Sequence, residues 1–215
     1  MGSKRQIPVE TILASEEFPY VVAAWQAKSR KVPKYAFGVT DGNPYVVTKL
    51  KRILEATLGI PSYYSTREYP QGEVKKDSQI LVVWSRSLME FLDTQTQGNT
   101  EVPEELTDTT NKRRNYIRGF LDSRSCVSNS SRIVEALSFR LKYPSIVITK
   151  KNPRLLTSFY SLLVREGLSP SASSDSIGIY KHKDIRRIMQ RGLITEPNRL
   201  AHLEEMCREL KDFRG

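Results

Sequence analysis

Apolar residues return along this chain at two periods. Val46, Val47, Leu50, Ile53, Leu54 and Leu58 recur at intervals of three and four, which places them on one face of a helix. Asn43 caps that helix, Pro44 takes its first position and Gly59 stops it. A second helix of the same form runs from Asn152-Pro153 to Glu166, with Gly167 beyond. Residues 4–17 read as an arm leading into a helix over Phe18–Lys28. Ser15 is its expected N-cap, Glu16 and Glu17 suit the first turn, and Pro19 is tolerated there. Ala23, Ala24 and Ala27 would let another backbone come close to it. Further helices are predicted over Arg86–Leu92, over Lys112–Leu121 with Asp108 or Thr109 as cap, and over Asp184–Arg191. The last helix, Pro197–Phe213, gathers Leu200, Leu203, Met206, Cys207 and Leu210 on one face.

The two-residue period marks strands. In Lys34–Thr40, Tyr35, Phe37 and Val39 alternate with Lys34, Ala36, Gly38 and Thr40, as in a half-buried strand, and Asp41-Gly42 turns the chain after it. Strands near Ser62–Tyr69 and Gln79–Trp84 are separated by a loop that holds Pro70, Gln71, Gly72, Lys75 and Lys76. Cys126–Ser130 reads as a short strand. Residues 132–142 fit both periods, and a turn followed by a strand is favoured. Strands over Ile146–Thr149, Ser169–Ser173 and Ser176–Tyr180 complete the set. Thr94–Thr107 is polar, contains Gly98 and Pro103, and reads as a linker.

The chain repeats itself. NPYVVTKLKRIL at 43–54 matches NPRLLTSFYSLL at 152–163 in Asn-Pro, two aliphatic residues, Thr and the register of the later apolar positions. IxVxW at 80–84 and IxIxK at 177–181 both precede helices. The interval between opening helix and Asn-Pro helix is longer in the second copy, by roughly a dozen residues. These matches predict an α+β fold of two αββαββα halves related by a pseudo-two-fold axis. Residues 1–98 form the first half, 99–108 the linker and 109–215 the second half.

Charge narrows the function. The net charge is +10 and the isoelectric point about 9.6, a surplus that favours a polyanion as partner. Cys126 and Cys207 stand in no zinc-ligand spacing and read as free thiols of a cytoplasmic protein. No apolar run approaches the ~18 residues that span a bilayer, so no membrane is expected. His182 and His202 have no nucleophile beside them in the sequence and read as surface residues. No glycine-rich phosphate loop is present.

YIRGFLDSRSC at 116–126 resembles the LAGLIDADG motif of homing endonucleases: Gly119 falls on the packing glycine, and Phe120, Leu121 and Asp122 match the pattern. YVVAAWQAKS at 20–29 resembles a worn first copy, with Ala23 in place of that glycine. The resemblance covers nearly the whole chain. It implies that the two motif helices form the interface between the halves. It also implies that the two antiparallel sheets form a saddle over the DNA major groove, and that the acidic residue ending each motif helix holds divalent metal beside the scissile phosphates. Those final acidic positions fall here on Lys28 and Arg124, and the glycines after them on Ser29 and Ser125. Asp122 occupies the earlier acidic position, which is not the metal ligand. An ammonium and a guanidinium repel Mg²⁺ rather than bind it.

The expectation is therefore a non-catalytic double-stranded DNA-binding protein derived from a homing endonuclease, a transcription regulator being one such role. It would have no catalytic residues, metal or cofactor, and would be a monomer with an internal pseudo-dimer. Lys28 and Arg124 would grip the central phosphates. Lys34, Arg67, Arg140 and Lys142 are groove-contact candidates on strands. Arg30, Lys31, Lys75, Lys76 and Arg132 are phosphate-contact candidates, as are Lys150 and Lys151. Three alternatives stand: an RNA-binding maturase that assists intron splicing, with structured RNA as partner; an endonuclease with displaced metal ligands, for which Asp122 is the first suspect; and a protein-interaction scaffold with no nucleic acid as partner.

Overall fold

The computed structural model describes residues 9–29, 36–59, 62–71, 74–134 and 139–212. The helices are α1 (Val9–Ala14), α2 (Phe18–Lys28), α3 (Pro44–Leu58), α4 (Arg86–Gln95), α5 (Thr110–Arg124), α6 (Pro153–Arg165), α7 (His182–Gln190) and α8 (Pro197–Asp212). The strands are β1 (Ala36–Asp41), β2 (Tyr63–Gln71), β3 (Val74–Trp84), β4 (Ser125–Val134), β5 (Phe139–Thr149), β6 (Ser171–Ala172) and β7 (Ser176–Ile179). The fold is α+β, with one antiparallel sheet of three strands and one of four. The chain divides into two compact units, residues 1–123 and 124–215, so all of α5 but its last residue belongs with the first.

In the first unit the strand order is β1-β3-β2, with Ala36 opposite Trp84 and Tyr63 opposite Val82. Helices α2, α3 and α4 pack against β1, which is buried on both faces rather than half-buried. The expected alternation fails because Ala36 and Gly38, the small residues between the apolar ones, are buried as well. Lys34 and Tyr35 of the expected strand lie outside the described residues. The core of this unit gathers Phe18, Tyr20, Phe37, Leu50, Leu54, Leu81 and Leu88, all fully buried.

The Asn-Pro signal operates as read. The Asn43 side chain accepts a hydrogen bond from the Tyr45 amide at 3.0 Å, and the Asn152 side chain accepts one from the Leu155 amide at 3.2 Å. Each satisfies a donor that the first helical turn leaves open, and Pro in that turn has no amide to satisfy. Gly59 ends α3 at φ +60° and Gly167 follows α6 at φ +78°, backbone that only glycine adopts without strain. The Ser15 side chain accepts from the Phe18 amide at 3.1 Å, but α2 begins at Phe18 with Glu17 at its cap position, so Glu16 and Glu17 precede the first turn rather than occupy it. The arm before it contains a helix, α1, whose single buried apolar residue, Ile12, left little periodic trace.

Two loops also differ from expectation. Strands β2 and β3 continue past Pro70 to Gln71 and back to Val74, with Tyr69 opposite Lys76 and Pro70 opposite Lys75. Lys75 and Lys76 are therefore strand residues rather than loop residues. Pro70 stops no strand here because it lies close to the hairpin end, where a missing donor costs little. Residues 96–109 are not a solvated tether: Leu106, Thr96 and Thr107 are buried, and Gln26 donates its side-chain amide to the Glu101 carbonyl at 2.9 Å.

In the second unit the order is β4-β5-β7-β6. The described parts of the ambiguous stretch are strand: β4 runs to Val134 and β5 starts at Phe139, with Val134 opposite Phe139. Leu137 lies outside the described residues. Helix α6 packs on β7, α7 on β5, and α8 on β4 and β5. Glu196 caps α8 by accepting from the amides of Asn198 and Arg199 at 3.0 and 2.8 Å.

The repeat is visible in each unit's topology. The bridge at Ser29 opposite Val39 stands where β4 meets β5, and the neighbours β1-β3-β2 follow as β5-β7-β6 do. Among the described residues the first half reads α2-β1-α3-β2-β3-α4, one named strand fewer than αββαββα. The additional residues of the second half sit in the β4–β5 hairpin, which spans 125–149 against 29–41 in the first.

Candidate nucleic-acid interface

The motif helices α2 and α5 meet inside the first unit. Gly119 lies against the backbone of Tyr20, where an added Cβ would stand 2.3 Å from the Tyr20 carbonyl oxygen. No real side chain fits that gap, so the glycine sets the closeness of the crossing. Two buried bonds then stitch the helices reciprocally. Tyr20 donates its hydroxyl to Asp122 at 3.0 Å, and Tyr116 donates its hydroxyl to the Gln26 side-chain oxygen. Tyr20 and Tyr116 hold the same place in the two motif copies, as do Gln26 and Asp122.

The Asp122 carboxylate is fully buried and has Lys49 Nζ 3.9 Å away. Lys49 also lies over the Tyr20 ring, 4.1 Å from its centroid, and 5.5 Å from that of Tyr45. Burial pulls the Lys49 ammonium below the usual lysine range; Asp122 opposes that shift, and Arg118 and Arg52 add to it. Burial, with the charge and hydrogen bond of Asp122 behind it, pushes the Tyr20 hydroxyl far above the usual tyrosine range. Burial alone raises Tyr116. Asp122 is thus a structural carboxylate, engaged on both sides. The sequence carried one sign of this arrangement, the tyrosine that opens both motif copies.

Lys28 ends α2 as expected. It is half-buried, with Nζ 3.8 Å from Asp41 Oδ2, while Asp41 Oδ1 accepts from the Asn43 amide at 3.0 Å. Arg124 ends α5 and donates Nε to the Thr149 carbonyl at 2.8 Å, which ties the helix tip to the end of β5. Neither cation offers a donor oxygen, and hard divalent cations are held by carboxylate and carbonyl oxygens. The side chains at the two motif ends therefore do not fit a metal. Among the described residues, no three His, Cys, Asp or Glu side chains gather as a metal site.

The other candidates divide by position. Arg67 lies on β2 opposite Ser78, and Lys75 and Lys76 lie on β3. Arg132 lies on β4 opposite Leu141; Arg140 and Lys142 lie on β5 opposite Ile133 and Ser131. These six fall on the longest hairpin of each sheet. Arg30, Lys31 and Lys34 lie outside the described residues. Lys150 and Lys151 follow β5 directly. Tyr63 and Trp84 are exposed, at 62% and 65%, on the first sheet; single exposed aromatics give no signal in a sequence. Among the described residues no helix is long and apolar enough to cross a membrane.

No family profile and no curated protein matches the sequence. Solved structures do match. I-DmoI in complex with DNA and Mn aligns over 87% of this chain and 99% of its own, with a TM-score of 0.55 and 13% identity. I-DmoI in complex with DNA and Ca aligns over 92% and 98%, with a TM-score of 0.55 and 15% identity. The meganuclease I-SmaMI bound to uncleavable DNA aligns over 90% of each chain, with a TM-score of 0.51 and 14% identity. This is the LAGLIDADG homing-endonuclease fold. The match is in keeping with the α+β architecture and its two antiparallel sheets.

Proposed function

We propose that this protein binds double-stranded DNA through its two sheets and does not cut it. One observation carries the reading: both motif helices end in a cation, Lys28 and Arg124, where cleavage by this fold calls for carboxylates. Three others support it. The net charge is +10. The fold is shared with I-DmoI and I-SmaMI, both solved with DNA bound. The nearby carboxylates are engaged, Asp122 by Tyr20 and Lys49, and Asp41 by the Asn43 amide with Lys28 close by. A metal-ligand role for Asp122 would require breaking its bond to Tyr20 and its pairing with Lys49. On this reading Lys28 and Arg124 hold the central phosphates. Arg67, Lys75, Lys76, Arg132, Arg140 and Lys142 supply further contacts to the duplex, and Arg30, Lys31 and Lys34 remain candidates from the sequence. The chain acts as a monomer, and regulation of transcription is the role that such binding without cutting serves.

The test is selection of bound duplexes from a random pool, followed by incubation of the recovered site with Mg²⁺ and with Mn²⁺. The expected site is roughly 20 base pairs, longer than one helical turn, and it stays intact. Nicking with either metal would overturn the non-catalytic reading. Preference for a folded intron over duplex DNA would make the protein a maturase instead. Lys28→Gln with Arg124→Gln should lower the salt slope of binding by up to about 0.9 for each phosphate that the variant no longer neutralises. An unchanged slope would remove both residues from the interface.

A further inference from the structure

A groove of about 490 Å³ opens between α7 and α8 in the second unit. Arg186 and Arg208 stand on its walls with His182, Gln190 and Glu204, while Met189 and the buried Cys207 supply an apolar base. Its size falls in the range of small-ligand sites, roughly 300–1,000 Å³. The arginines around it are differently employed. Arg187 donates to the Gly167 carbonyl at 2.6 Å and lies 3.5 Å from Asp184, and Arg191 lies 3.0 Å from the Glu166 carboxylate. Arg186 and Arg208 are exposed, and neither joins an ion pair among the described residues. Glu204 precedes Arg208 by one helical turn and forms no ion pair with it.

The repeat supplies an internal control. Helix α4 takes the place of α7 in the first half, and there Arg86 is neutralised by Glu90 at 2.7 Å, with Asp93 beyond. Helix α7 instead carries Lys183, Arg186 and Arg187 against Asp184 alone. Among the described residues helix α8 has no counterpart in the first half, and the groove is formed by the second copy. The charge of the whole chain leans the same way. Residues 124–215 hold seventeen Lys and Arg against nine Asp and Glu, whereas residues 1–123 hold seventeen against fifteen.

Two guanidiniums at one recess match a terminal phosphate, which carries up to two charges and three acceptor oxygens, better than the single charge of a diester on an open track. We propose that the α7–α8 groove is a phosphomonoester-binding site. Arg186 and Arg208 grip the phosphate, Met189 and Cys207 receive the body of the ligand, and Gln190 and Glu204 take its remaining polar groups. The proposal is independent of duplex binding by the sheets.

Calorimetric titration of the full chain with adenosine monophosphate tests it. Saturable binding of one equivalent at millimolar concentration or below is expected, weakened by tenfold or more in Arg186→Gln/Arg208→Gln, since each bond to a charged phosphate is worth about tenfold. Both arginines are exposed, so the variant should keep its circular dichroism spectrum and its affinity for the selected duplex. Absence of saturable binding, or equal binding by the variant, would overturn the proposal. Competition then names the source of the phosphate. Displacement by a 5′-phosphorylated duplex and not by its 5′-hydroxyl form assigns the groove to a DNA end; displacement by neither assigns it to a free phosphorylated small molecule. Both results uphold the site.

Discussion

The two sheets share a strand order and lengthen opposite hairpins. In the first, the described residues next to the motif helix are a bridge at Ser29 and the six residues of β1, while β2 and β3 reach nine and eleven residues. In the second, β4 and β5 run to ten and eleven residues, while β6 and β7 shrink to two and four. Strand order and the Asn-Pro helix cap are set close to the core, and both copies keep them. Hairpin length is set by residues far from the core, and each copy has changed it. The candidate basic residues follow the longer hairpin in each case, Arg67, Lys75 and Lys76 in one and Arg132, Arg140 and Lys142 in the other.

The motif helices offer a second comparison, between matched positions of α2 and α5, and three experiments can break it. The largest effect is expected at Gly119. Gly119→Ala drives a Cβ into the Tyr20 backbone and should cost about 3 kcal/mol or more in urea unfolding. Ala23→Gly, at the matched position of α2, should cost only about 1 kcal/mol. Equal costs would show that the crossing is not set by Gly119. Next comes the reciprocal tyrosine pair. Asp122→Ala removes the acceptor of Tyr20 and leaves Lys49 beside it without its counter-charge, a loss of about 3 kcal/mol. Gln26→Ala removes a neutral acceptor from Tyr116 and a neutral bond to the Glu101 carbonyl, together worth about 2 kcal/mol. A reversed order would break the distinction between the charged and the neutral bond.

The smallest effect is read from pH. Tyr20 and Tyr116 are both held protonated in the folded protein above the usual tyrosine range. Above pH ~10 the unfolded chain releases those protons and the folded chain keeps them, so stability falls as pH rises. Below that pH their contribution is fully present. The two together give a limiting slope of about 2.7 kcal/mol per pH unit, and Tyr116→Phe should reduce their share by about half. Chemical denaturation at several pH values between neutrality and pH ~11 measures the slope. No change in slope for Tyr116→Phe would show that its hydroxyl titrates normally.

Local signals were legible in the sequence and pairings across the chain were not. Asn43-Pro44 and Asn152-Pro153 announce helix starts because the cap is made within three residues, and the observed bonds are those. The boundaries of α2 were readable for the same reason. Lys75 and Lys76 were misplaced because Pro70 and Gly72 look like breakers, while the ladder opposite Tyr69 and Pro70 is a property of two segments. Lys49 reads as a surface lysine on a helix; its position over Tyr20 depends on a residue 29 places earlier and a carboxylate 73 places later. The cationic helix ends were visible at once, because the motif fixes their place and their chemistry is written in the residue type. The groove between α7 and α8 was not, since only packing brings Arg186 and Arg208 to one recess.

The tyrosine stitches between α2 and α5 lie within the helices, and their acceptors, Gln26 and Asp122, stop short of Lys28 and Arg124. A lineage can therefore alter the tips without loosening the hinge of the fold, and each step of such drift remains a folded protein exposed to selection. The joint between the two helices endures while the side chains beyond it are exchanged.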